Sequence, residues 1–105
     1  MKFLSRQEEL LLLAIWKLKD NAYGVTIREL ISESTKKYWS IGAIYDILDR
    51  LERKRLVEPI IGEPTAERGG KSKRFYILTK EGHSALEEAK TIQNVMWSNL
   101  PDTAF

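Results

Sequence analysis

Apolar residues recur at helical spacing from the start of the chain. Ser5 and Glu8 form a capping-box pattern, in which a hydroxyl and a carboxylate satisfy first-turn amides, so a first helix is expected from there to about Lys19. The stretch from Leu10 to Trp16 is apolar on every side of a helical wheel. A short helix of this kind needs contacts on both faces, so we expect one face to serve the core and the other a partner.

Two further helices follow at short intervals. Thr26 and Glu29 repeat the capping-box pattern and predict a short second helix that ends near Thr35. Ser40 can cap a third helix, which we expect to run to about Lys54. The inward stripe of this third helix is Ile41, Ile44, Leu48 and Leu51.

The pattern then changes to that of a hairpin. Residues 56–61 are strand-like, although Pro59 has no amide to donate and therefore implies an edge position or the start of irregular pairing. A loop rich in glycine, proline and charge covers residues 62–72, and residues 73–78 are expected to form the returning strand before Thr79 caps a last helix. This order predicts a mainly α fold with a small β-hairpin, the winged helix-turn-helix, in which the loop between the strands is the wing.

The last helix carries an apolar stripe at alternating three- and four-residue steps, the spacing of a coiled-coil seam. Such a stripe can pack on its own domain or on a partner, and the all-round apolar first helix favours the partner. We therefore expect residues 1–79 to form the winged helix-turn-helix unit and residues 80–105 a dimerisation helix within the same compact unit. The predicted dimer interface comprises Leu11, Ile15, Leu86, Ala89, Gln93, Met96 and Leu100.

Composition narrows the class of protein. The 105 residues suit one domain, and the absence of cysteine excludes a disulfide scaffold and a thiolate metal site. The longest apolar run has seven residues, from 10 to 16, whereas a membrane-spanning helix needs about 20, so we expect a cytoplasmic protein. No nucleophile elbow, phosphate loop or metal-ligand cluster is present in the sequence, and we predict neither an enzyme nor a cofactor.

The net charge of +2 is small, but its distribution is uneven. Residues 36–55 hold six basic and three acidic side chains, a balance of +3, and residues 62–74 hold four and two, a balance of +2. Residues 79–105 hold two basic and four acidic ones, a balance of −2. The positive charge therefore lies on the third helix and the wing, as expected for a nucleic-acid-binding surface.

The outward face of the third helix combines small side chains with long polar ones, which suits entry into a major groove about 12 Å wide. That face comprises Gly42, Ala43, Asp46, Arg50 and Arg53. Taken alone, it is equally compatible with an ordinary solvated surface. The wing adds basic side chains around Gly69-Gly70 that can lie along a phosphate backbone, namely Arg68, Lys71, Lys73 and Arg74.

With these elements placed, the sequence resembles the PadR family of transcriptional regulators from about Leu10 to Gly82. The resemblance rests on residues 11–15, Tyr23-Gly24, residues 40–45, residues 48–52, residues 69–76 and Leu78-Thr79. It implies a dimeric repressor, assembled through its first and last helices, that often senses a small aromatic or drug-like molecule.

The resemblance also assigns residues to roles. It places Ser40 and Tyr45 in the recognition helix beside Gly42 and Arg50. An effector could stack on Trp16 and Trp97, although simple interface packing explains those side chains at least as well. Arg55 departs from the family pattern, because a glycine usually follows the third helix, so the helix exit is expected to be strained or differently capped.

The sequence thus predicts a homodimeric regulator that reads a pseudo-palindromic DNA operator. The alternative is a winged-helix module for protein–protein contact without DNA binding. Asp46 and Asp49 keep that alternative open, because acidic groups near phosphates weaken DNA affinity.

Overall fold

The computed structural model describes residues 3–62 and 73–102. Helices α1, α2 and α3 precede an antiparallel hairpin of β1 and β2, and helix α4 follows it, so the predicted fold class is confirmed. A single 3-10 turn, Lys19–Asn21, separates the first two helices. The elements are α1 Arg6–Leu18, α2 Gly24–Thr35, α3 Ile41–Arg53, β1 Val57–Ile61, β2 Arg74–Leu78 and α4 Lys80–Trp97.

One apolar core lies between the three N-terminal helices and the inner face of the hairpin. Each side chain buried there contributes roughly 1.5–3 kcal/mol by leaving water. The largest side chains that are almost completely buried are Tyr76, Leu11, Leu12, Ile15, Ile27, Ile31, Ile44, Leu48, Leu51 and Val57.

The beginning of α1 matches the predicted capping box. The Glu8 amide donates to Ser5 Oγ over 3.1 Å, and the Ser5 amide donates to Glu8 Oε1 over 2.8 Å. Both amides would otherwise lack a partner at the helix N-terminus.

Helix α2 begins two residues before the predicted cap at Thr26. Thr26 lies in the first turn, where its hydroxyl accepts from the Tyr23 amide over 3.0 Å and donates to the Asn21 carbonyl over 2.6 Å. The amide of Tyr76 also donates to the Ala22 carbonyl over 2.8 Å, and Tyr23 forms a β-bridge with Phe75. This tertiary pairing on the free edge of β2 sets the start of α2.

The strands pair in the register Val57↔Leu78, so that Pro59 faces Tyr76. Because residues 22 and 23 occupy the other edge of β2, β1 is the outer strand among the described residues. The edge position predicted for Pro59 is therefore confirmed, and its missing amide costs no ladder hydrogen bond on the inner side.

The turn after α3 places a non-glycine residue, Arg55, in left-handed backbone, which is the strain expected there from the sequence. Arg55 adopts a left-handed conformation with φ 62°, while the Leu56 amide donates to the Leu51 carbonyl over 3.0 Å, as in a Schellman motif. Thr79, the cap of α4, donates its hydroxyl to the Arg55 carbonyl over 2.8 Å. At Gly82 a Cβ would overlap the carbonyl oxygen of Leu56, so glycine is required for α4 to approach this turn.

Helix α4 extends beyond the body of the domain. Leu86 is its last buried residue, and the helix continues for three further turns with exposed or half-exposed side chains. The radius of gyration is 15.9 Å, whereas a compact domain of this length is expected to have about 13 Å. The molecule is therefore elongated, with the second half of α4 projecting from the domain.

Candidate nucleic-acid interface

The N-terminal half of α3 presents an open, narrow surface. Ser40 caps the helix by accepting the Ala43 amide over 3.1 Å, and a Cβ built on Gly42 would meet nothing within 4 Å. Asp46 and Arg53 are exposed further along the same face. An opposing surface can therefore approach the helix closely at Gly42 and meet longer polar side chains beyond it.

Tyr45 lies on one flank of this surface and fixes the position of α2. Its ring lies against Gly24, where a Cβ would come within 2.5 Å of the phenol oxygen. About two-fifths of the Tyr45 residue remains exposed, at 39%. The Tyr23-Gly24 pair thus permits close packing of α2 on α3 while Tyr45 keeps one edge in solvent.

Arg50 lies on the opposite flank and makes an internal ion pair that the helical wheel did not predict. Its Nε is 3.3 Å from Glu8 Oε2, and Lys54 Nζ is 2.6 Å from the same oxygen. Burial by itself raises the pKa of Glu8, but the hydrogen bonds from Lys54 and Ser5 and the charges of Lys54 and Arg50 outweigh it and hold the pKa below its ordinary value. Arg50 is thus partly directed toward α1 rather than wholly outward.

The base of the wing is also tied to the protein. Lys73 Nζ lies 4.4 Å from the centroid of the Tyr23 ring, a cation–π distance. Arg74 Nη2 is 2.9 Å from Glu52 Oε1, and this hydrogen bond raises the pKa of Arg74. The predicted contacts Arg68 and Lys71 lie outside the described residues.

A basic turn before α3 was not among the predicted contacts. Lys36 and Lys37 are exposed there, and Lys36 adopts a left-handed conformation with φ 59°. The neighbouring Trp39 anchors the turn by donating its indole N–H to Thr35 Oγ1 over 3.0 Å. The run of two lysines was visible in the sequence, but only the fold shows that both side chains are exposed in the turn before α3.

The predicted dimer interface needs correction on α1. Leu11 and Ile15 have 0% and 1% of their surface exposed within the protomer, so they have no surface left for a partner. They alternate with Leu13 and Trp16, which are exposed and line a groove between α1 and α4 of about 560 Å³. The remaining groove residues are Glu9, Leu86, Glu87, Lys90 and Gln93, and we call this feature the α1–α4 groove.

The predicted interface residues on α4 divide in the same way. Leu86 is buried in the protomer, with 6% exposed, and Ala89 and Gln93 are half-buried. Met96 and Leu100 are exposed, at 69% and 54%, but α4 ends at Trp97, so Leu100 lies beyond the helix and not on the predicted stripe. Met96 and Leu100 are therefore the predicted residues with apolar surface to offer a partner.

The two tryptophans suggested for an effector lie in different surroundings. Trp16 meets His83 edge to face, with ring centroids 4.9 Å apart. Trp97, 72% exposed, donates its indole N–H to Gln93 Oε1 over 3.1 Å and does not line the α1–α4 groove.

Within residues 3–62 and 73–102, none of the helices combines the length and apolar character needed to cross a membrane. The same residues bring together no group of three or more histidine, aspartate or glutamate side chains placed to hold a metal ion.

The comparison with protein families gives one match. The sequence model of the PadR-like transcriptional regulator family matches residues 12–88, which run from α1 into α4. Among curated proteins, none matches the chain significantly.

Several solved structures share the fold. A PadR-like transcription factor from Bacteroides fragilis aligns with a TM-score of 0.73 at 24% identity, covering 86% of this chain and 82% of the other. RosR from H. salinarum aligns with a TM-score of 0.72 at 23% identity, covering 94% and 82%. A PadR-like regulator from Bacillus cereus aligns with a TM-score of 0.65 at 22% identity, covering 89% and 93%.

Proposed function

The chain belongs to the PadR-like family of transcriptional regulators, and from that premise we propose that it is a sequence-specific DNA-binding repressor that acts as a homodimer. Members of the family are transcriptional regulators rather than enzymes.

The main support for DNA binding is the open surface at the start of α3. The space beside Gly42 allows the helix backbone to approach base edges in the major groove, and Ser40, Ala43 and Tyr45 surround it with small or half-exposed groups. Asp46 can accept only from a donor such as the cytosine amino group. This surface suits direct reading of a short base sequence.

Cationic side chains border that surface and supply the sequence-independent part of the affinity. Arg53 is exposed and makes no ion pair within the described part of the chain. Lys36 and Lys37 precede the helix, and Arg50 lies on its flank beside Glu8 with 41% of its side chain exposed. The wing residues Arg68, Lys71, Lys73 and Arg74 complete the proposed contact set.

Fluorescence anisotropy with the gene's own upstream duplex and a scrambled duplex tests this function at several salt concentrations. We expect preference for the upstream duplex and affinity that falls steeply with salt, because phosphate contacts release counterions. Arg53→Gln should weaken binding and make the salt slope shallower by about 0.9 if Arg53 meets a phosphate. Lys17→Gln, which removes the same charge from an exposed site on α1, is the matched control and should bind as the wild type does.

Absence of binding to both duplexes at low salt would contradict the proposal and favour the protein-interaction module, for which the exposed acidic residues Asp46 and Asp49 are suited. A reporter driven by the upstream region tests the direction of regulation. Repression requires reporter output to rise when the protein is removed, and a fall would show an activator instead.

The support for a homodimer is the apolar surface that the protomer leaves exposed on α1 and α4. Met96 continues the stripe of Leu86 beyond the body, Leu100 is exposed just after the end of α4, and Leu13 and Trp16 border the α1–α4 groove. Contiguous apolar surface of this kind marks interaction sites. We propose that the distal half of a partner's α4 covers it, which would place two recognition helices on half-sites about 34–36 Å apart.

Two lysine substitutions on neighbouring residues test the dimer. Met96 and Val95 are similarly exposed, at 69% and 65%, but Val95 lies on the opposite side of α4 from the stripe. Sedimentation equilibrium should show a dimer for the wild type and for Val95→Lys, and a weakened dimer for Met96→Lys. Equal behaviour of the two variants would contradict the assigned face.

We also propose that the protein binds a planar aromatic effector. Trp16 on the groove and Trp97 on the distal half of α4 offer exposed ring faces that could stack on a planar molecule. Titration with acridine orange should quench tryptophan emission in the wild type and give a weaker complex with Trp16→Leu or Trp97→Leu. If both variants bind the dye as well as the wild type, these tryptophans serve packing alone.

A further inference from the structure

Glu8 is the one charged residue buried in the part of the chain that the structure describes, with 2% exposed. Its Oε1 accepts the Ser5 amide in the capping box, and its Oε2 faces Lys54 and Arg50. The first turn of α1 thus fixes the carboxylate, which cannot leave without breaking the cap. The side chains of Arg50 and Lys54 are 41% and 33% exposed, so these cations lie between a fixed internal anion and solvent.

The two cations belong to the last turns of the proposed recognition helix. Lys54 ends α3, and Arg50 lies one turn before it on the same flank. A lysine or arginine at this flank would ordinarily add to phosphate binding through counterion release. Here the short contact between Lys54 Nζ and Glu8 Oε2, 2.6 Å, is a charge-assisted hydrogen bond that already occupies the ammonium.

A carboxylate and a DNA phosphate offer the same kind of oxygen to an ammonium or guanidinium group. We propose that Glu8 is an internal competitor of DNA phosphate for Lys54 and Arg50, and that it limits non-specific DNA binding. The inference rests on the DNA-binding function proposed above. It assigns to α1 a part in setting the overall DNA affinity, because weaker phosphate binding lowers affinity for every duplex while base contacts near Gly42 are unaffected.

The test compares salt slopes for Glu8→Gln, Lys54→Gln and the double variant. Glutamine keeps an oxygen for the Ser5 amide but removes the charge that holds the cations. For Glu8→Gln we expect the slope of log affinity against log salt to steepen by about 0.9 for each cation released. The affinities for the upstream and scrambled duplexes should both rise by about threefold or more at low salt, and their ratio should stay near the wild-type value.

Lys54 supplies the internal check. Lys54→Gln alone should leave the slope unchanged, because Glu8 already withholds that ammonium from DNA. In the double variant the slope should lie about 0.9 closer to the wild-type value than in Glu8→Gln. Glu88→Gln, the same charge change at an exposed site on α4, controls for net charge and should leave the slope as it is.

Three results would overturn the inference. They are a Glu8→Gln protein that melts cooperatively yet has the wild-type slope, a Glu88→Gln slope that steepens equally, and a Lys54→Gln slope that is already about 0.9 shallower. If Glu8→Gln does not fold, a Lys54→Gln slope that is shallower by about 0.9 still overturns the inference. Failure of the wild type to bind either duplex would instead refute the DNA-binding function.

Discussion

The two halves of α4 carry one stripe at helical spacing, interrupted only by Gln93, but meet different surroundings. The first half begins against the exit of α3, where Gly82 lies on the Leu56 carbonyl, and it buries Leu86 in the core. In the second half Met96 and Trp97 are 69% and 72% exposed. Helical spacing therefore predicts that a face will be covered, whereas the surrounding fold determines whether the protomer covers it.

The largest expected difference between the halves is the cost of removing an apolar side chain. Leu86→Ala should lower the free energy of unfolding by about 3 kcal/mol, because it leaves a cavity in the core. Val95→Ala, in the exposed half and off the stripe, should change it by less than about 0.5 kcal/mol. Urea denaturation at one protein concentration measures both, and equal losses would show that the distal half is also packed within the protomer.

Glycine substitutions probe the attachment of the first half. Gly82→Ala forces a Cβ against the Leu56 carbonyl, and shifting that backbone should cost about 2–3 kcal/mol. Gly42→Ala is the control, because its Cβ would meet nothing within 4 Å and alanine favours a helix by about 0.5–1 kcal/mol. Thermal melting should move in opposite directions for the two variants, and a lowered melting temperature for Gly42→Ala would count against an open α3 surface.

The body of the domain contains a buried charged residue, Glu8, whereas the distal half of α4 contains none. Acid should therefore lower the stability of the body selectively. The pKa of Glu8 is lower in the folded protein than its ordinary value of 4.5, so its stabilising effect is complete above about pH 4.5 and is lost as pH falls through the folded pKa. Glu8→Gln should cost about 2 kcal/mol at pH 7 by weakening the hydrogen bonds of a charged group. Denaturation curves from pH 7 to pH 3 should show the two proteins converging in stability, and a constant gap would be inconsistent with the lowered pKa.

The smallest expected effect comes from two residues with left-handed backbone, one beside each end of α4. Arg55 has φ 62° in the turn on which α4 rests, and Asn99 has φ 56° just beyond the exposed end of α4. Arg55→Gly should stabilise the protein by about 0.5–1 kcal/mol, because glycine adopts this conformation without a Cβ clash. Asn99→Gly should have less effect, since asparagine tolerates the region, and calorimetry of both variants measures the difference.

Local hydrogen bonds explain which elements were predictable. Ser5, Ser40 and Thr79 cap their helices as expected, because each cap bonds to an amide three residues away. The start of α2 was predicted too late, because Gly24 begins that helix under the Tyr45 ring and next to the pairing of residues 22 and 23 with β2. These contacts join segments that are far apart in the chain.

The same limit applies to the candidate site. The helical wheel placed Arg50 on the outward face, but its partner Glu8 is 42 residues earlier and no periodicity connects the two. Leu11 and Ile15 were expected in the dimer interface because the stretch they belong to is apolar on all sides. The packing of α1 on α2, α3 and β2 takes up that face and leaves Leu13 and Trp16 for the α1–α4 groove.

By itself the sequence determined the order of helices and strands, the three caps and the concentration of positive charge around α3 and the wing. Those properties follow from interactions among residues within about one helical turn, or from composition alone. Only the tertiary structure decided which apolar face of α1 is buried within the chain and how much of α4 is covered. It also decided that the Glu8 carboxylate pairs with Arg50 and Lys54. Each of those outcomes depends on distances between segments that the chain brings together only by folding.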